Sequence, residues 1–267
     1  MEPGDLVYTQ WLNQRGGIEA DVTVSRTGRD RYMITTAIGS LYKDWWHLKK
    51  SLRGELQLRD ISTDYACLAL QGPRARHVLE KLAETDISAG GFAFGTGRFA
   101  RIAGVEMWLQ RLSYVGELGW ELFVPAEKTV RVFAELQQAG AEFGIRNVGL
   151  HAVNSLRLEK GFRHWGHDIG SEDNLIQAGL SFTAKPDAGD FIGREAFLRQ
   201  KAAGLPDRRL VQFKLDDPEP LLYHNEPILM DGRIVGYRTS GMYGHSVGAA
   251  IGMGYVVMTE LTPDRIQ

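Results

Sequence analysis

The chain has a single cysteine, Cys67, among its 267 residues. No intramolecular disulfide can form, which favours a reducing compartment, the cytoplasm or an organelle matrix such as that of mitochondria. Cys67 sits in the apolar run DYACLALQG and is expected to be a small core residue. Long apolar runs are absent, and the N-terminus lacks the basic-then-apolar plan of a signal peptide, so no membrane association is expected. Charge of one sign is not in excess either. A formal net charge of −2 gives no electrostatic reason to expect nucleic acid as a partner. Proline- or serine-rich linkers and low-complexity tracts are missing as well. The composition that remains, 43% hydrophobic and 24% charged, is that of a globular protein able to bury a sizeable core.

What is present reads as strands and helices in alternation. Strands are expected over 6–12, 18–25 and 32–36, followed by a helix over 39–52 with Leu41, Trp45, Leu48 and Leu52 on one stripe. The pattern then renews itself, with strands at 56–61 and 66–72 and a helix over 73–84 opened by Pro73. Strands at 97–103, 105–114 and 119–125 precede helices at 126–143, 149–162 and 193–204. After Pro206 the chain turns to short glycine-punctuated strands, which suggests a small β-barrel or sandwich beginning near residue 205. Antiparallel sheet with helices packed on it is the economical architecture, an α+β fold.

Glycine-rich stretches invite a nucleotide site, but the context is wrong. GTGRFARIAG is followed by a strand where a dinucleotide fingerprint needs a helix, and GYRTSGMYGHSVGAAIGMG has no P-loop lysine. In GFRHWGHDI, His164 and His167 stand three apart beside Asp168, yet Gly166 and the loop-like ending argue against a shared helical ligand face; no metal site is expected. No GxSxG elbow is present.

Four residues remain as chemical candidates. Asp21 interrupts the strand of QRGGIEADVTV, where alternation puts Ile18, Ala20, Val22 and Val24 on one face and Glu19, Asp21 and Thr23 on the other. A solvated face is the simplest explanation; a pocket is the other. In RLSYVGELGWELFVP, Tyr114 and Glu121 flank a turn. A carboxylate there can accept paired N–H donors from a heterocycle and a tyrosine can supply a stacking face, the alternative being an edge-strand glutamate in water. Arg157, on the helix of NSLRLEKG, offers a fork of donors for a ligand carboxylate, or else a surface ion pair.

GGIEADVTV, SYVGELGWELFV, NSLRLEKGFRHWGHDI and GDFIGREAFLRQK, in that order, resemble the folate-binding aminomethyltransferase family: the T-protein of the glycine cleavage system and the folate domain fused behind flavin enzymes acting on dimethylglycine and sarcosine. The similarity runs over essentially the whole chain, and WGHDI with SYVGELGWE is closer to the dehydrogenase and oxidase branch. The resemblance implies that Asp21 is the catalytic carboxylate, that Tyr114 and Glu121 contact the pterin, and that Arg157 lies near the folate. It implies tetrahydrofolate as cofactor, a small one-carbon donor as partner, and FAD only if an upstream flavin domain or subunit exists. The fold implied is a cloverleaf, with residues 1–59 and 144–196 in a folate-binding α+β domain, 60–143 in a second, and 197–267 in a C-terminal β-barrel. Against the family pattern, about fifty residues before the QRGG turn and a last barrel strand are expected to be missing. Gln177 stands where relatives often carry an acidic residue before AGL.

Overall fold

The computed structural model of the chain describes residues 1–258, and the last nine residues of the expected barrel segment lie outside the described residues. The chain forms two compact units, one of Met1–Val7 with Thr23–Gly149, the other of Tyr8–Val22 with Leu150–Gln267. Strands β1 (Leu6–Leu12), β2 (Ile18–Gly28) and β3 (Arg31–Thr35) form a sheet in that order, and the division between units passes through β1 and β2.

In the first unit, β4 (Tyr65–Gln71), β5 (Gly97–Ile102), β6 (Val105–Gln110) and β7 (Gly119–Pro125) make an antiparallel sheet of order β4-β7-β6-β5. Alternation along β7 sends Trp120, Leu122 and Val124 into a core. Helices α2 (Ala75–Glu80) and α3 (Thr129–Gly140) close that core with Val78, Leu79, Val132 and Leu136. Each fully buried aliphatic side chain there contributes roughly 1.5–3 kcal/mol. Helix α1 (Leu41–Ser51) half-buries the expected stripe of Leu41, Trp45, Leu48 and Leu52.

Four local expectations are corrected in this unit. Residues 56–61 form no strand: Asp60 Oδ1 accepts the Ser62 amide at 2.9 Å and Arg59 pairs with Asp64 at 2.6 Å, so side chains divert the backbone into a turn. The strand expected to reach residue 114 ends at Gln110, because Ser113 Oγ accepts the amides of Val115 and Glu117 at 3.2 Å each and folds the loop. Helix α2 stops at Glu80, since the chain beyond it turns to β5: the Glu84 amide donates to the Arg101 carbonyl at 3.0 Å, and the Leu82 carbonyl accepts the Ala103 amide at 2.8 Å. Cys67 is exposed rather than in the core, because β4 alternates and points Leu68 and Leu70 inward.

In the second unit, β8 (Arg208–Lys214), β9 (Pro227–Met230), β10 (Arg233–Gly244) and β11 (Ala249–Val257) form an antiparallel sheet of order β8-β11-β10-β9. Helix α4 (Leu150–Glu159) packs on β10. Leu158, Leu175, Leu180, Phe197 from α5 (Arg194–Ala202), Leu210, Ile251 and Met253 share a core with Leu12 and Ile18. No helix among the described residues is long and apolar enough to cross a membrane.

Candidate functional site

The QRGG turn explains why the segments carrying the candidate chemistry come together in the second unit. Gly16 takes a left-handed φ of 83°, and a Cβ on Gly17 would stand 2.0 Å from the Ser171 carbonyl oxygen. Asn13 Oδ1 accepts the amides of Arg15 and Gly17 at 2.9 and 3.0 Å, while its Nδ2 donates to Glu19 at 2.9 Å. The start of β2 is thereby held against the segment after α4, and Trp165 Nε1 donates to the Ile18 carbonyl at 2.9 Å.

Asp21 lies in this setting, half-buried and hydrogen-bonded rather than solvated. Gln10 Nε2 donates to Asp21 Oδ1 at 2.7 Å, and Thr183 Oγ1 bonds Gln10 Oε1 at 2.6 Å. Burial raises the Asp21 carboxyl above its ordinary value; the bonds from Gln10 and Tyr8 and the charge of Arg163 hold it back in part. Arg163 is anchored by its own donors, with Nε and Nη2 on the Ala178 carbonyl and Nη1 on the Gly161 carbonyl. Glu19, the neighbouring carboxylate on β2, is engaged by Asn13.

In the first unit, Glu121 faces away from the Trp120 core. The register sets it between Ala69 of β4 and Gln110 of β6, and Gln110 Nε2 donates to it at 3.3 Å. Gln110 is itself fully buried and bonded to Ser25. Burial raises the Glu121 carboxyl, and the Gln110 bond opposes the rise. Tyr114, in the loop before β7, is 39% exposed. Glu121 is thus a half-buried acceptor with a neutral amide as its partner, and Tyr114 an accessible aromatic ring.

Arg157 is neither a surface ion pair nor an open fork. Only 3% exposed, it donates through Nη1 to Asp168 Oδ2 at 2.6 Å and to the Phe162 carbonyl at 2.9 Å, and through Nη2 to Ser240 Oγ at 2.8 Å. Asp168 also accepts the His164 amide at 3.0 Å and the Thr239 hydroxyl at 2.5 Å. The guanidinium therefore joins α4, the GFRHWGHDI turn and β10. The His164 and His167 rings lie tilted at 48° with centroids 4.5 Å apart, and burial together with His167 and Arg157 lowers the His164 titration, against the pull of Asp168. Among the described residues no group of three or more His, Cys, Asp or Glu is arranged to hold a metal.

A family model described as the GCVT N-terminal domain matches residues 1–188, and one described as the glycine cleavage T-protein C-terminal barrel domain matches residues 208–265. The chain belongs to the glycine cleavage T-protein family. Within that family it is 40% identical over 255 residues to a 4-methylaminobutanoate oxidase (formaldehyde-forming) of Paenarthrobacter nicotinovorans, covering 95% of this chain and 31% of the relative. It is 38% identical to the mitochondrial sarcosine dehydrogenase of Homo sapiens, covering 95% of this chain and 29% of the relative. An aminomethyltransferase of Halothermothrix orenii is 36% identical, with 98% and 72% covered. The crystal structure of the glycine cleavage system aminomethyltransferase T from Bartonella henselae superposes with a TM-score of 0.82 at 28% identity, covering 97% of this chain and 70% of that one. The chain thus spans about a third of the length of the oxidase and dehydrogenase relatives. As in the T-protein family, antiparallel sheets with packed helices precede a C-terminal barrel domain.

Sequence reasoning had not singled out Tyr8, Gln10, Arg163 or Thr183, nor Asn13 and Gln110. Tyr8 and Gln10 leave a faint trace, as polar residues alternating within the strand YTQWL. Thr183 comes from a short 3-10 turn 173 positions away from Gln10, a pairing no local pattern encodes.

Proposed function

We propose that this T-protein-family chain is a tetrahydrofolate-binding one-carbon module. It captures the iminium or formaldehyde released by flavin-dependent demethylation of an N-methyl amine such as sarcosine or dimethylglycine, giving methylene-tetrahydrofolate. The observation that carries the reading is Asp21: a carboxyl in the GGIEADV segment, held by side chains rather than solvated. Bound tetrahydrofolate would supply the two nitrogens between which the carbon is placed, with loss of water when formaldehyde is the donor and of the demethylated amine when the iminium is.

The chain's own residues would do the rest. Asp21 places negative charge beside the cationic carbon and takes up a proton released at nitrogen, without a covalent intermediate. In the first unit, Glu121 accepts N–H donors of the pterin and Tyr114 offers its ring. Arg157, with Nη1 and Nη2 engaged inside the fold, serves the site by fixing the 162–168 turn and not by touching ligand. FAD would belong to another part of a longer protein or to another subunit, a reading supported by an oxidase and a dehydrogenase of which this chain covers about a third.

Calorimetry with tetrahydrofolate and the folded chain tests the first step: saturable binding is expected, and intact protein without any would overturn it. A second reading, aminomethyl transfer from a carrier protein, draws on the H. orenii relative, of which this chain covers 72%. A flavin-binding region in the same reading frame supports demethylation, and turnover with an aminomethyl-carrier protein in place of formaldehyde supports transfer.

A further inference from the structure

The bonds around Asp21 run in a chain with a definite sense. Gln10 is 8% exposed, and its amide is engaged at both ends: Nε2 on Asp21 Oδ1 at 2.7 Å, Oε1 against Thr183 Oγ1 at 2.6 Å. An amide oxygen can only accept, so in this arrangement the hydroxyl of Thr183 donates to Gln10, and the amide can then only donate to Asp21. That sense suits the ionised carboxylate, because an N–H donor bonds a charged oxygen more strongly than it bonds the neutral acid. Thr183 has a second acceptor in reach, the Leu180 carbonyl at 2.8 Å. When its proton goes there, the Gln10 oxygen loses its donor and the amide is no longer held in the sense that serves the carboxylate.

We propose that Gln10 and Thr183 are positioning residues: Thr183 fixes the sense of the Gln10 amide, and Gln10 in turn orients Asp21 and favours its ionised form. The assignment of chemistry to Asp21 rests on the folate reading above; the relay itself does not. The other groups that face this carboxyl are Tyr8 from β1, which bonds it, and Arg163 from the turn after α4, which acts through charge. Neither is a member of the relay, and Arg163 is anchored on the Gly161 and Ala178 carbonyls, so they set the level around which the relay acts. Burial pushes the carboxyl the other way, and a buried acid that must be ionised to work needs such a donor.

The direct test is a carbon-13 NMR titration of the Asp21 carboxyl in the full chain, assigned by the loss of its signal in Asp21→Asn. Gln10→Leu is expected to move the midpoint to higher pH, and Thr183→Val to move it the same way by a smaller step. Thr183→Ser, which restores the hydroxyl, is expected to leave it at the wild-type position. Adding Thr183→Val to Gln10→Leu is expected to produce no further movement, because the hydroxyl acts through the amide. Should Gln10→Leu fail to fold, the Thr183→Val and Thr183→Ser pair decides the matter. A wild-type midpoint in Thr183→Val, or equal movement in Thr183→Ser, overturns the relay.

In turnover, the acid limb of methylene-tetrahydrofolate formation is expected to follow these midpoints. Loss of one bond to a charged group lowers the rate on that limb by about tenfold. If Asp21→Ala is as active as wild type, the folate chemistry fails while the titration still judges the relay. If Asp21→Ala is inactive and the midpoints do not move, the relay alone fails.

Discussion

Asp21 and Glu121 share a physical predicament. Each is a carboxyl withdrawn from water whose ordinary titration is pushed up by burial, and each has a neutral amide, Gln10 or Gln110, as hydrogen-bond partner. A raised folded-state pKa means the folded protein binds the proton more tightly than the unfolded chain does. Stability therefore falls as pH rises from the unfolded value through the folded one, and stays lower above it. Asp21→Asn, which keeps the shape and an acceptor for Gln10 without the charge, is expected to raise stability at neutral pH. The gain should shrink towards zero below the ordinary carboxylate range. Urea unfolding at pH 7 and at about pH 2.5, well below the ordinary aspartate value of about 3.9, measures both. For Glu121 the expected cost is in binding: Glu121→Gln removes a charge-assisted acceptor and should weaken tetrahydrofolate binding by about tenfold or more. Unchanged affinity by calorimetry would take Glu121 out of the pterin site.

At the level of elements, β2 and the segment after α4 are fastened by close contacts rather than by a ladder. Gly17 is the tightest of these, with no room for a Cβ beside the Ser171 carbonyl. Gly17→Ala is expected to cost about 1–3 kcal/mol by forcing the two segments apart, and to lower turnover with it, since Asp21 lies four residues further along β2. Arg157 fastens the same segment from the other side, through Asp168 and Ser240. Arg157→Met leaves the Asp168 carboxylate buried without its cation, and a loss of about 3–5 kcal/mol in urea unfolding is expected. If Arg157→Met retained full stability but lost folate binding, direct ligand contact would replace the positioning role. Charge neutralisation at both positions, Arg157→Met with Asp168→Asn, should recover part of the loss.

For the whole molecule, most of the strands and helices were legible in the sequence because apolar alternation and helical spacing are local. β1 and β7 lie at the residues their patterns mark. The elements that went astray, 56–61 and the ends of β6 and α2, were decided by side-chain bonds from Asp60 and Ser113 and by amides claimed for an adjoining strand. None of these shows as periodicity. Asp21, Tyr114 and Glu121 could be marked as chemical candidates from residue type and position, and the order of four motifs supplied the family. The support around Asp21 could not be read, because Gln10, Arg163 and Thr183 reach it from three separate parts of the chain. Arg157 was legible as a fork of donors, but not the buried Asp168 that occupies it. The two matched domains and a TM-score of 0.82 to an aminomethyltransferase place the chain in the T-protein family. The chemistry proposed for it turns on a single carboxyl. The decisive measurement is formaldehyde-dependent formation of methylene-tetrahydrofolate by wild type and by Asp21→Ala, corrected for the uncatalysed condensation, with folate binding of both checked by calorimetry. The expected result is retained binding with a rate lowered by about 10²–10⁴-fold in the variant; equal rates in two folded, folate-binding proteins would contradict it.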